Sequence, residues 1–135
     1  MIGVWKAGAA FVALEDGHPA EQVAFIRKDC GCRLTIDDTV WQEIQGLEPL
    51  PGYEAVDDHD AAFAVYTSGS TGNPKGVLHE YGKIDRTAAS FRILNFLRFG
   101  LIAPVNYAAA LIVFITTMDN GGVLCLPPVS LDPFP

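Results

Sequence analysis

An α/β fold with a layered, largely parallel sheet and flanking helices is the fold class that this 135-residue sequence predicts. Short apolar runs bounded by turn-forming residues, which are typical of buried strands, alternate with segments whose apolar residues recur at helical spacing. Half of the residues are hydrophobic, which is enough for a core, and the length fits one domain. Strands and helices that alternate in this way form a sheet covered by helices.

The first part of the chain shows three helices, two strands and a connector. They are predicted, in order, as a helix at 1–7, a strand at 9–14, a helix from 19 to about 30, a strand at 33–36, a helix through 47 and an acidic connector at 48–60. Gly8 and Gly31 are placed to cap the first two helices. Pro19 suits a first helical position, and Asp37 or Asp38 suits the N-cap of the third helix. The first helix lacks an N-cap, so we expect that the sequence begins inside an element of something longer.

The second part continues the alternation. Its predicted elements are a strand at 62–66, a loop at 67–72, a strand at 76–79, a helix from 81 or 82 to 97, a strand at 99–103, a helix at 106–118 and a strand at 123–126. Ile84, Ala88 and Phe91 fall at helical spacing. Asn106 is the expected cap of the last helix, and Gly121 its expected end. The proline-rich tail cannot continue regular structure.

The loop at 67–72 combines four hydroxyl side chains with two glycines: Thr67, Ser68, Gly69, Ser70, Thr71 and Gly72. Hydroxyls and closely approaching backbone N–H groups suit a chain of phosphates. Lys75 follows as a mobile cation, presented by a turn at Asn73-Pro74. The plainer alternative is an ordinary turn between strands, because loops of this composition are common.

The general phosphate motif of nucleotide-hydrolysing P-loop proteins fits this stretch poorly. Pro74 stands where that motif needs its second glycine, and Gly76 stands where it needs a hydroxyl for Mg²⁺. A short strand follows the loop here, whereas a P-loop opens directly into a helix. An ordinary P-loop enzyme is therefore excluded as the leading interpretation.

Charge and composition exclude several functions. The net charge is −7, and residues 1–61 carry 12 acidic against 4 basic side chains, which disfavours nucleic acids and anionic membranes as partners. Three cysteines without metal-ligand spacing predict reduced thiols and no zinc site. Without a signal peptide or a run long enough for a bilayer span, a cytoplasmic location is expected.

The string YTSGSTGNPKGV, from Tyr66 to Val77, closely resembles the phosphate-loop signature of the adenylate-forming enzymes: acyl-CoA synthetases, luciferases and the adenylation domains of non-ribosomal peptide synthetases. A second stretch, WKAGAAFVAL from Trp5 to Leu14, resembles the upstream motif of that family. The whole chain can thus be placed on part of the family's large N-terminal domain.

The resemblance implies that the hydroxyls and glycines of the 67–72 loop line the triphosphate of ATP, with Lys75 close to the phosphates. It further implies ATP and Mg²⁺ as cofactors, a carboxylate substrate, and CoA or a carrier-protein thiol as the acceptor. Amino-acid-activating members carry an aspartate after the aromatic residue that Tyr107 matches, but here Ala108 stands in its place. The substrate is therefore an ordinary acyl group, or its amino group is held elsewhere, or this copy is degenerate. Tyr107 is a candidate wall of the acyl pocket.

The chain ends before the family's segments that place adenine, ribose and the C-terminal catalytic lysine. We accordingly expect three parts of a partial adenylation domain: an acidic α/β segment at 1–61, a phosphate-loop hairpin at 62–79 and a helix-strand-helix-strand segment at 80–135. We expect these residues alone to be inactive and to self-associate through uncovered sheet faces. The alternatives are a non-catalytic nucleotide- or pyrophosphate-binding module and a purely structural truncation product.

Overall fold

The computed structural model describes residues 1–15, 17–49, 51–68, 73–91 and 98–127. Its elements are α1 (Ile2–Lys6), β1 (Phe11–Val12), α2 (Ala20–Asp29), α3 (Asp38–Ile44), β2 (Ala61–Thr67), β3 (Lys75–Glu80), α4 (Tyr81–Phe91), β4 (Arg98–Gly100), α5 (Ala108–Asp119) and β5 (Val123–Cys125). The predicted α/β fold class is confirmed, with mixed and parallel sheets flanked by helices.

The strands form two small sheets. In the first, β2 lies between β1, which it pairs with in parallel, and β3, which it pairs with in antiparallel fashion. The second sheet holds β4 and β5 as a parallel pair. The antiparallel pair is the hairpin that the sequence predicted. Its strands run antiparallel because the loop that joins β2 to β3 is too short for the crossover that parallel strands need.

The core lies on one face of β2, where apolar side chains alternate inward. Ala62, Phe63, Val65 and Leu111 are buried together, and Trp5, Phe11, Tyr81, Ile84, Ala108 and Ile115 pack against them. Phe63 is central, since its ring stacks on Phe11 with centroids 5.9 Å apart and on His79 at 4.5 Å. Helix α5 contributes Leu111, Ala108 and Ile115 to this core and also packs against α4 and the second sheet, which explains why its sequence is almost entirely apolar.

A β-bulge at Ala62 interrupts the hairpin at the end remote from the loop. The register passes from Ala61 opposite Glu80 to Phe63 opposite His79, so that Ala62 is the extra residue. A bulge frees backbone groups from the ladder, and here the indole N–H of Trp5 donates to the Ala62 carbonyl at 2.9 Å. Helix α1 is thereby attached to the central strand.

Helix α4 follows β3 without an intervening residue, since Glu80 ends the strand and Tyr81 begins the helix. The acidic connector supplies the hydrogen-bond acceptors for the first two amides of this helix. Tyr81 N–H donates to the Asp60 carbonyl at 3.0 Å, and Gly82 N–H donates to the Asp58 carbonyl at 2.9 Å. A Cβ on Gly82 would lie 2.8 Å from Asp58 Cγ, so only glycine permits this approach. The connector and α4 are thus tightly joined.

Four sequence predictions are wrong in detail. Residues 33–36 form no strand, and β1 is shorter than the predicted 9–14. Pro19 occupies the N-cap of α2 rather than its first helical position. Asn106 does not cap α5, because Tyr107 is the N-cap residue and its N–H donates to Pro104 O at 3.0 Å. The predicted helix beyond Phe91 and the proline-rich tail lie outside the described residues.

Helix α3 begins with the predicted aspartate cap, since Asp37 Oδ1 accepts from Val40 N–H at 2.9 Å. Replacing Asp37 with alanine leaves that amide without its acceptor. We expect a loss of about 1 kcal/mol in local helix stability, which corresponds to about fivefold faster amide hydrogen exchange along α3. Asp37→Asn, which keeps an acceptor oxygen, is the control, and equal exchange rates in all three proteins would contradict the assignment.

His79 gives the core a pH dependence. Burial, and after it the nearby Lys83 ammonium, lowers the pKa of His79 below its ordinary value. The unfolded chain therefore takes up a proton near pH 6.5 that the folded chain resists, so the stability present above that pH falls as the pH drops. In His79→Phe, which keeps the stack on Phe63, we expect a shallower loss of stability between pH 7 and 5. Urea unfolding at several pH values measures it; His59→Phe, at an exposed position, is the control.

Candidate functional site

The end of the β2–β3 hairpin carries the residues predicted to meet phosphates. Thr67 and Lys75 are the last paired residues of the two strands and lie directly opposite each other. Opposed residues of an antiparallel pair project to the same face, which brings a hydroxyl and an ammonium to one side of the loop. Both side chains and that of Ser68 are exposed, and Lys75 forms no ion pair with any described residue.

The remaining predicted loop residues, Gly69, Ser70, Thr71 and Gly72, lie outside the described residues. The ordered strands nevertheless fix where that loop starts and ends, at Ser68 and Asn73. Because Thr67, Ser68 and Lys75 face solvent rather than the core, their donors are available to an anion. The described hairpin end therefore presents two hydroxyls and one ammonium, which are groups that pair with anions.

Tyr66, immediately before Thr67, points to the other face of the sheet. Its hydroxyl donates to Asp29 Oδ2 at 2.7 Å, which links the strand to the last residue of α2. Burial, followed by the hydrogen bond and charge of Asp29, raises the pKa of Tyr66 well above its ordinary value. The phenol thus stays protonated and remains a donor.

Gly76 lies opposite Tyr66 on β3 and makes room for its ring. A Cβ at this position would lie 2.9 Å from Tyr66 Cζ and 3.1 Å from its oxygen. Sequence reasoning predicted neither this close approach nor the contact between Tyr66 and Asp29. The one local signal was an acidic residue at the end of α2, where the helix dipole disfavours negative charge.

Tyr107, the predicted wall of an acyl pocket, is 57% exposed at the start of α5. Within the described residues no hydrogen bond or ring contact joins it to the hairpin end. Ala108, next to it, packs against the core cluster instead of presenting a charge. The structure therefore places Thr67 opposite Lys75, with Ser68 next in the chain, and shows no hydrogen bond or ring contact from Tyr107 to them among the described residues.

A small cavity lies behind the hairpin between α4 and α5. Phe63, His79, Lys83, Ile84 and Thr116 are among its lining residues, and its volume is about 40 Å³. Thr116 Oγ1 is buried there without a hydrogen-bond partner. A space of this size holds one or a few water molecules and is too small for a nucleotide.

The described residues contain neither a metal-binding cluster nor a membrane-spanning helix. No group of three or more His, Cys, Asp or Glu there could hold a metal ion. None of the helices in those ranges combines the length and the apolar character that crossing a bilayer requires.

Comparisons with known proteins identify relatives of the chain. A family model described as AMP-binding enzyme matches residues 1–135. N-benzoylphenylalaninol synthetase apmA of Penicillium brevicompactum is 30% identical over 147 residues, which cover 94% of this chain and 6% of the synthetase. The chain thus spans only a small part of this curated relative.

Solved structures share the fold. The N-terminal subdomain of Klebsiella oxytoca NpsA in complex with 3-hydroxyanthranilyl-AMSN superposes with a TM-score of 0.78 at 25% identity, covering 95% of this chain and 36% of that one. Holo-PA1221, an NRPS protein containing adenylation and PCP domains, superposes with a TM-score of 0.74 at 22% identity, covering 96% of this chain and 25% of its own. Both superpositions cover nearly the whole of this chain.

Proposed function

This chain belongs to the AMP-binding enzyme family, and from that premise we propose that it is part of an ATP-dependent ligase that adenylates a carboxylate. In this reaction a carboxylate oxygen attacks the α-phosphorus of ATP, the bond to the bridging oxygen breaks, and acyl-AMP and pyrophosphate form. The acyl group then passes to a thiol, either that of CoA or that of a carrier protein, with release of AMP.

The observation that carries the proposal is the pairing of Thr67 with Lys75 at the exposed hairpin end. Negative charge builds on the departing pyrophosphate as the carboxylate attacks. Hydroxyls, backbone N–H groups and an ammonium held in advance around that charge lower the barrier, since they need no reorganisation during the reaction. We assign this role to Lys75 and to the loop residues Thr67, Ser68, Gly69, Ser70, Thr71 and Gly72.

We propose that Mg²⁺ arrives bound to ATP. The described residues contain no group of acidic side chains that could hold the ion by themselves. When bound to ATP, the ion neutralises phosphate charge. The residues of this chain contribute the complementary part: they hold and orient the phosphates from the hairpin end.

For the substrate we propose a carboxylic acid that needs no charged partner at position 108. Ala108 is apolar and packs against the core, so it cannot pair with a substrate amino group. Tyr107, which is exposed at the start of α5, is proposed as a wall of the acyl pocket. A substrate amino group held by residues elsewhere remains the alternative within this class.

We further propose a division of the chain at residues 61 and 79, a cytoplasmic location and self-association. Exposed apolar side chains in the described part of the first segment support the last of these, among them Leu34, Trp41 and Leu47.

The decisive experiment is ATP–pyrophosphate exchange by the full-length protein that carries this chain, with hydroxamate trapping over a panel of carboxylic acids. Exchange that depends on one class of acid supports the proposal, and no exchange with any acid overturns it. Transfer of the labelled acyl group to CoA or to a carrier protein then identifies the acceptor.

A non-catalytic nucleotide- or pyrophosphate-binding module is the second candidate. It shares the exposed hairpin end but requires no carboxylate. Isothermal titration that shows ATP or pyrophosphate binding, abolished in Lys75→Ala, together with no exchange, favours this candidate over the ligase.

A further inference from the structure

Asp29 contacts the strand that leads into the proposed phosphate loop although it lies 37 residues before Tyr66 in sequence. Its carboxylate accepts from the Tyr66 hydroxyl at 2.7 Å, and Tyr66 is the residue directly before Thr67. A short bond from a hydroxyl to a carboxylate is among the stronger hydrogen bonds in proteins, because the acceptor is charged. The start of the loop is therefore tied to α2.

Asp29 lies at a position where a carboxylate needs a hydrogen-bond donor. The residue ends α2, followed by the C-cap Cys30 and by Gly31, whose φ of 62° turns the chain away from the helix. A negative charge at the C-terminus of a helix is disfavoured by the helix dipole. The hydrogen bond from the Tyr66 hydroxyl stabilises the Asp29 carboxylate and so offsets its unfavourable interaction with the helix dipole.

Gly76 completes the arrangement from the opposite strand. The Tyr66 ring lies across the backbone of Gly76, so closely that an added Cβ would be 2.9 Å from Cζ and 3.2 Å from Cε1. No side chain fits there without moving the ring, and with it the hydroxyl that reaches Asp29. Gly76 is next to Lys75, so the same contact also fixes the second end of the loop.

We propose that Asp29, Tyr66 and Gly76 form a latch that positions both ends of the phosphate-binding loop, with Asp29 as a positioning residue for ATP. The proposal rests on the proposed function of the hairpin end. Tyr66 holds the residue before Thr67, and Gly76 holds the residue after Lys75. Thr67 and Lys75 held in place in this way lose less conformational freedom when they bind phosphates, and this favours binding.

The latch is tested in the full-length protein with Tyr66→Phe, which removes only the hydroxyl, and with Asp29→Ala. Asp29→Asn keeps an acceptor oxygen and serves as the conservative rescue. Tyr81→Phe is the matched control, because it removes another tyrosine hydroxyl that donates a hydrogen bond to a residue distant in sequence. The acceptor of Tyr81 is the Ala9 carbonyl at 3.4 Å, and this bond lies away from the loop.

In ATP–pyrophosphate exchange we expect Tyr66→Phe and Asp29→Ala to raise the KM for ATP by about three- to tenfold, as loss of a hydrogen bond to a charged group allows. The KM for the acid should stay within about twofold of the wild-type value, as should KM values in Tyr81→Phe. A purely structural role would lower the active fraction, and hence the apparent kcat, without this selective change in KM. Unchanged KM for ATP in both latch variants overturns the proposal.

Amide hydrogen exchange without nucleotide gives a readout that is independent of the enzymatic reaction. We expect faster exchange at Thr67, Ser68 and Lys75 in Tyr66→Phe, Asp29→Ala and Gly76→Ala, near-wild-type rates in Asp29→Asn, and no change in Tyr81→Phe. If the wild-type protein exchanges pyrophosphate with no acid, the proposed function fails, and this measurement still decides the latch. Equal protection of the loop ends in all variants overturns it.

Discussion

Replacing Phe63 with alanine is expected to lower the free energy of unfolding by about 3–5 kcal/mol, the usual range for a large aromatic residue in a core. The Phe63 side chain is 0% exposed and stands at the centre of the cluster that joins β2 to α5. Its removal deletes two ring stacks and leaves a cavity that Phe11 and His79 cannot fill without moving.

Urea unfolding monitored by circular dichroism measures this loss. Phe63→Leu, which keeps most of the volume, is the matched control and should cost less than about 2 kcal/mol. Val77→Ala on the exposed strand β3 should cost about 0.5 kcal/mol, as surface substitutions generally do. A loss below 1 kcal/mol in Phe63→Ala would show that the core is centred elsewhere.

The second large effect is expected at Lys75. In Lys75→Ala we expect kcat/KM for ATP, measured by pyrophosphate exchange, to fall by about ten- to hundredfold. That range corresponds to the loss of one charge-assisted hydrogen bond. Lys75→Arg keeps the charge but changes its shape, so it should retain part of the activity.

Lys83→Ala is the control for Lys75, because Lys83 pairs with Glu80 at 3.4 Å and lies on α4, away from the hairpin end. The rate of ATP–pyrophosphate exchange in Lys83→Ala should stay within about twofold of the wild-type rate. Should Lys75→Ala behave in the same way, the hairpin end would not be the phosphate site, even if the protein adenylates a carboxylate.

The elements that local chemistry controls could be predicted from the sequence. Gly8, Gly31 and Gly121 were expected at helix ends, and all three have positive φ, between 61° and 65°. Asp37 caps α3 as predicted. The hairpin was also expected, because two short apolar runs flank a glycine-rich turn.

The features that depend on distant partners could not be predicted. Residues 33–36 have strand-forming side chains, but a strand needs a neighbouring chain to pair with, and propensity alone does not supply one. Asn106 is a good N-cap by type, yet the turn that begins at Pro104 moves the helix start past it. The bond between Asp29 and Tyr66 links residues far apart in sequence, which no periodicity reveals.

For the candidate site, the sequence predicted the hydroxyls, the glycines and Lys75 from their types and from the family resemblance, and this stays a prediction. It could not show that Thr67 and Lys75 oppose each other, because the register of a hairpin depends on the geometry of its loop and on the pairing of its strands. It also could not show which side chain Gly76 accommodates. These two facts come from packing between strands.

The direct passage from β3 to α4 has a mechanical consequence. With no spacer residue between Glu80 and Tyr81, and with the first helical amides held by Asp58 and Asp60, the junction lacks a hinge. We therefore expect a tilt of β3 to carry the start of α4 with it, and so to change how α4 packs against α5.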